Sequence, residues 1–148
     1  MVRFRWLLAV TVLIAGSCAS ASDSSNGSSA APACALVGDD LIQSLIGPAQ
    51  AQEFELAPLS ECTWTSNDGV ITLRVETVPD TTLFVEHAVE STHPDRVTRL
   101  SGDLAGGVVF ADEAVVVTAT DVVVMVDGSV PTEQLTPIAA AAKQALEG

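Results

Sequence analysis

A chain of 148 residues, 48% of them apolar, is long enough for one folded domain and too hydrophobic for a disordered segment. Its nineteen carboxylates against six Lys and Arg give a formal charge of −13. That balance argues against nucleic acid as a partner and against adsorption to anionic headgroups, because both need exposed cations.

The N-terminus reads as an export signal. Arg3 and Arg5 precede an apolar run, Trp6 to Ala15, and the small residues Gly16 and Ser17 follow it. The run is about ten residues, where a membrane-spanning helix needs roughly 20. Ala15-Gly16-Ser17-Cys18 has the form of a lipobox, in which Cys18 is lipidated and becomes the first mature residue. The alternative is an ordinary signal peptide cut near position 20. Residues 1–17 are thus the expected lipoprotein signal peptide, and 18–32 the lipidated cysteine with a flexible Ser-rich linker. With Arg3 and Arg5 removed, four cations face nineteen carboxylates, a net −15. Such a surface does not hold itself to a membrane, so the anchor must do so, and two acyl chains suffice. The expected location is extracytoplasmic, lipid-anchored to the outer face of the cell membrane.

Residues 19–32 contain no large apolar side chain and form a tether with an r.m.s. span of roughly 20 Å. Residues 33–148 are expected to form a single α+β extracytoplasmic domain. Gly38-Asp39 offers an N-cap, Leu41, Ile42, Leu45 and Ile46 recur at helical spacing, and Gly47-Pro48 stops the helix. Cys62 to Thr65 alternates as a strand, with Cys62 and Trp64 on one face. Asn67-Asp68-Gly69 then turns the chain into a second strand, Val70 to Val78. In that strand Ile71, Leu73 and Val75 oppose Thr72, Arg74 and Glu76. Pro79-Asp80 caps a helix through Glu90, and His93-Pro94 closes it. Val97 to Leu100, Val108 to Ala111, Ala114 to Ala119 and Val122 to Val126 read as strands. A last helix runs to Leu146 from Thr132 or from Thr136-Pro137, with Leu135, Ile138, Ala139, Ala142 and Leu146 on one face. The fold class expected is α+β: an antiparallel sheet of about four to six strands with helices packed on one side, in the approximate order α-β-β-α-β-β-β-α.

With Cys18 as the anchor, Cys34 and Cys62 remain as a pair in an oxidising compartment. Two free thiols or a metal pair is the alternative, although no third ligand sits at zinc-like spacing. The search for chemistry is otherwise unproductive. His87 and His93 are the only histidines, and no Gly-x-Ser-x-Gly elbow, His-Glu-x-x-His, phosphate loop or dinucleotide fingerprint accompanies them. Asp39-Asp40 suits a helix N-terminus, Glu86 and Glu90 a solvated helix face, and Asp112-Glu113 and Asp121 turns. No calcium-loop spacing occurs. No catalytic residue, metal or cofactor is therefore assigned, and the chain is expected not to be an enzyme.

Cys34-Ala35-Leu36, a short helix ending in Leu45-Ile46-Gly47, and then Cys62-Thr63-Trp64 resemble a large actinobacterial lipoprotein family that carries a domain of unknown function. In that family a Cys-x-Leu opens the domain and a Cys-x-Trp returns about 25–30 residues later, behind a lipobox and a Ser-rich spacer. The resemblance covers Ala33 to Gly148, with Val37-Gly38-Asp39 standing where members usually have Leu followed by Thr. It implies an α+β domain with Cys34 bonded to Cys62, and it implies no catalytic residues; Trp64, on the Cys62 face of its strand, is expected in the core near that pair. The expected function is a non-catalytic envelope lipoprotein acting as a binding or accessory module, its partners being the membrane through the lipid and an unidentified envelope protein or small ligand. The alternative is a small-ligand or lipid-binding module with an apolar cavity between the sheet and its helices, suggested by the valines of residues 114–126.

Overall fold

The computed structural model describes residues 31–148. The signal segment, Cys18 and nearly all of the linker lie outside the described residues. A 3-10 turn, Ala33–Leu36, leads into α1 (Asp39–Ile46), β1 (Gln50–Leu56), β2 (Leu59–Thr65), β3 (Val70–Thr77) and α2 (Thr81–Glu90). Then come β4 (Val97–Arg99), β5 (Val108–Phe110), β6 (Ala114–Ala119), β7 (Val122–Gly128) and α3 (Thr132–Glu147). The seven strands make one sheet in the order β1-β2-β3-β7-β6-β5-β4, antiparallel at every pairing.

Local chemistry accounts for most boundaries. Gly38 caps α1, whose first turn carries Asp39 and Asp40, and Gly47 at φ +73° ends it. Asp80 caps α2 by accepting from the Leu83 N–H at 2.9 Å. The loop from Ser66 to Gly69 is wound around one hydroxyl: Ser66 Oγ donates to the Ile46 carbonyl at 2.5 Å and accepts from the N–H groups of Asp68 and Gly69 at 3.0 and 3.1 Å. The β2–β3 turn is thereby fastened to the end of α1. Helix α3 starts at Thr132 and carries Pro137 inside it. Proline cannot make the bond to the Glu133 carbonyl, but both residues are exposed, so water can serve that oxygen.

The strands alternate as their pleat requires. Cys62, Trp64, Ile71, Leu73, Val75, Val115, Val117, Val124 and Val126 form one face, covered by the 3-10 turn, α1 and α3. β7 is the central strand, and on β3 beside it Leu73 lies between Cys62 of β2 and Val126 of β7. Val108, Phe110, Val116 and Val123 point to the opposite face, where Val78 and, from α2, Val85 join them.

The α+β class and the antiparallel sheet are as the sequence indicated, and two details differ. The sheet has seven strands, because Gln50–Leu56 adds β1 to the edge of β2. And α2 sits on the face opposite α1 and α3 rather than beside them. The reason is in the valines: Ala114 to Val117 and Val122 to Val126 are apolar at consecutive positions, the mark of strands buried on both faces. One helical layer could not have covered them.

Candidate functional site

Cys34 and Cys62 form a disulfide with Cα atoms 5.0 Å apart. It joins the 3-10 turn to the interior face of β2, and the Ala33 N–H reinforces the seam by donating to Ser60 Oγ at 2.9 Å. Cys62 is fully buried and Cys34 half-buried, so the bond staples the 3-10 turn onto the core. Trp64, two residues on, is 2% exposed and packs in the same cluster. Its indole N–H is buried and has no hydrogen-bond partner among the described residues.

The residues weighed for chemistry do not converge. His87 is exposed on α2, and His93, also exposed, pairs through Nδ1 with Asp95 two residues on. Glu86 is gripped by Arg99, whose two terminal nitrogens lie 2.9 and 2.8 Å from its two oxygens. Hydrogen bonding by Arg99 lowers the Glu86 carboxyl from its ordinary value, and the same bond raises the Arg99 guanidinium. Glu113 pairs with Arg96 at 3.0 Å, while Asp112 stands at φ +60° in the β5–β6 turn. Asp121 lies in the β6–β7 turn and its carbonyl accepts from the Val78 N–H at 2.9 Å. Asp39 and Asp40 stay in the first turn of α1. Among the described residues no group of three or more His, Cys, Asp or Glu could hold a metal ion.

A ladder of charge crosses the outer face of β2, β3 and β7. Arg74 Nε lies 2.6 Å from Glu61 and its Nη1 3.3 Å from Asp127. The hydrogen bond to Glu61 holds Arg74 above its ordinary value, although burial works the other way. Burial pushes the Asp127 carboxyl up, and the charge of Arg74 only partly offsets it. With Lys143 bonded to Glu147 at 2.5 Å, all four cations among the described residues are engaged by carboxylates of the same domain. Lys143 also donates to the Thr118 carbonyl at 2.7 Å, tying α3 to β6.

Two surface features stand out. Val78, Pro79, Asp80, Leu83, Phe84 and His87 line a groove of about 450 Å³ at the start of α2, with Leu83 largely exposed. The other is β1, whose seven residues are all exposed. Phe54 is 53% and Leu56 64% exposed, on the sheet face that α2 leaves open beyond β7. Sequence reasoning missed this strand. Its only signal was the alternation of Glu53 and Glu55 with Phe54 and Leu56 ahead of the Ala57-Pro58 turn, and no buried side amplified it.

No helix among the described residues is long and apolar enough to cross a membrane. No protein-family model matches the chain, and searches of curated proteins and of solved structures give no match either.

Proposed function

We propose that the chain is a lipid-anchored, non-catalytic lipoprotein of the cell envelope, whose residues 33–148 act as a binding or accessory module on the outer face of the membrane. The observation that carries this reading is an order of features: a lipobox-like Ala15-Gly16-Ser17-Cys18, a Ser-rich spacer, and then a domain stapled by Cys34 and Cys62. A structural disulfide belongs to an oxidising compartment, which supports export. The Cys34-x-Leu36 and Cys62-x-Trp64 pattern supports placing the chain in the actinobacterial lipoprotein family it resembles. The non-catalytic part rests on Glu86 and Glu113 being tied to arginines and on both histidines lying in the open. The packing of Val115, Val117, Val124 and Val126 against α3 and α1 favours their role as core over that of cavity lining.

The test is Cys18→Ala in an exporting bacterium. The parent is expected in the detergent-extracted membrane fraction with an acylated Cys18 by mass spectrometry, and the variant in the soluble fraction. A variant that stays with the membrane as the parent does overturns the anchoring.

A second reading, a module for a small apolar ligand, is favoured by the groove at the start of α2. Native mass spectrometry of protein taken from its own envelope separates the two. A stoichiometric non-covalent mass beyond that of the acyl chains selects the ligand, and a chain that carries its acyl chains alone, two hydrogens short of the reduced mass, selects a protein partner.

A further inference from the structure

The two ends of the sheet are treated differently. β4 has three residues, follows a proline-led 3-10 turn, and has Arg99 clamped by Glu86. Short strands, proline and fixed charge are devices that keep a sheet edge from pairing with another chain. β1 has seven residues with no proline, lysine or glycine among them, and pairs in unbroken register with β2 from Gln50↔Thr65 to Leu56↔Leu59. Its other edge has no strand beside it among the described residues.

The side chains along that edge specify what could pair there. Gln52, Phe54 and Leu56 lie on the open face of the sheet, opposite Thr63, Glu61 and Leu59. Ala51, Glu53 and Glu55 lie on the other face. Glu53 accepts from the Cys34 N–H at 3.2 Å, and neither Glu53 nor Glu55 forms an ion pair among the described residues. The domain has no cation left to offer them, since all four are engaged elsewhere. A second copy of the chain fits poorly. Antiparallel self-pairing centred on residue 53, 54 or 55 sets glutamate directly against glutamate, and the two molecules repel as a whole.

We propose that β1 is a docking edge that takes an extended segment of a partner protein, added as an eighth strand, in which lysine or arginine alternates with large apolar residues. The proposal rests on the binding-module reading and names its surface and partner chemistry. Main-chain hydrogen bonds along Gln50–Leu56 supply the attachment. The cations of the segment meet Glu53 and Glu55, and its apolar residues extend the strip of Phe54 and Leu56.

The experiment uses the purified full chain and three synthetic ten-residue peptides: lysine alternating with valine, glutamate alternating with valine, and the lysine–valine composition with its lysines grouped at one end. Binding is followed by fluorescence anisotropy, and its location by amide hydrogen exchange. The alternating lysine peptide is expected to bind and to slow exchange in residues 50–56, with the other two binding about tenfold more weakly or worse. Glu55→Lys and Phe54→Ser, both at exposed positions, should each weaken it several-fold, by up to about tenfold. Asp95→Lys, beside the other edge, should change it by less than about twofold. Binding that protects α2 instead of β1 overturns the docking edge and leaves the binding module standing. So does an envelope partner that crosslinks equally to the parent and to Glu55→Lys. Absence of peptide binding together with absence of any crosslinked partner overturns both.

Discussion

Opening the disulfide should cost this domain more than most single substitutions. Cys34 and Cys62 are 28 residues apart. Closing a loop of that size removes chain entropy from the unfolded state worth roughly 3.5 kcal/mol at 25 °C. At about 2.1 cal/mol/K of unfolding entropy per residue, a domain of about 115 residues then melts on the order of 15 °C lower when reduced. The native packing is expected to change little, because Cys62 is held in the core and the Ala33 N–H is bonded to Ser60 Oγ independently of the sulfur bridge. The assay is thermal and urea unfolding by circular dichroism, with and without reductant, on the parent and on Cys34→Ala. Reduction and Cys34→Ala should produce the same loss, and the urea m-value should rise because the uncrosslinked chain unfolds to a larger ensemble. Superimposed curves, with both thiols titrating as free after reduction, would refute the reasoning. A loss seen with Cys62→Ala and not with Cys34→Ala would also refute it, by locating the effect in core packing.

The remaining predictions concern backbone and charge. A Cβ on Gly128 would lie 2.6 Å from the Val70 carbonyl oxygen and 3.2 Å from Ile71 Cα. Gly128→Ala should therefore destabilise by about 1–3 kcal/mol in urea unfolding, and an unchanged midpoint would count against the close approach. Thr120, a β-branched residue, sits at φ +50° in the two-residue β6–β7 turn. Thr120→Asn should stabilise by about 0.5–1 kcal/mol, since asparagine tolerates that region better; a loss would contradict it. Side-chain carboxyl titration by NMR should place Glu86 below and Asp127 above the ordinary carboxylate values. Glu86 then stabilises the fold above its unfolded value and loses that contribution as pH falls through its lowered folded value. Asp127 has the opposite sign: its contribution is present below its unfolded value and disappears as pH rises through its raised folded one. Arg99→Ala should return Glu86 toward the ordinary value, and the reverse order of the two groups would sink the assignment.

Where a side chain's environment is set by neighbours in sequence, the chain was readable. The Cys62–Val78 hairpin, the α1 stop at Gly47 and the Asp80 cap all depend on local periodicity and turn chemistry, and their residues fall where those rules put them. β1 was not readable, because both its faces are exposed and its one alternating stretch, Glu53 to Leu56, is too short to stand out; pairing with the backbone of β2 makes it a strand. The side of the sheet taken by α2 was present in the consecutive valines, but reading it required knowing which strands become neighbours. The pairing of Arg99 with Glu86 and of Arg74 with Asp127 joins distant segments and leaves no local trace. The open edge, on which the candidate site depends, was illegible for the same reason as β1 itself.

The position of the disulfide also fixes how the domain would carry mechanical load. Cys34 lies in the first turn of the described chain and is covalently joined to β2, which is hydrogen-bonded to β3 on one side and β1 on the other. Tension applied to the chain ahead of Cys34 passes through the sulfur atoms into Cys62 and on toward β3, bypassing residues 35–61. Helix α1 and the exposed strand β1 belong to that bypassed loop. Under such tension they stay out of the line of pull as long as the bond is intact, and reduction would put them directly in it.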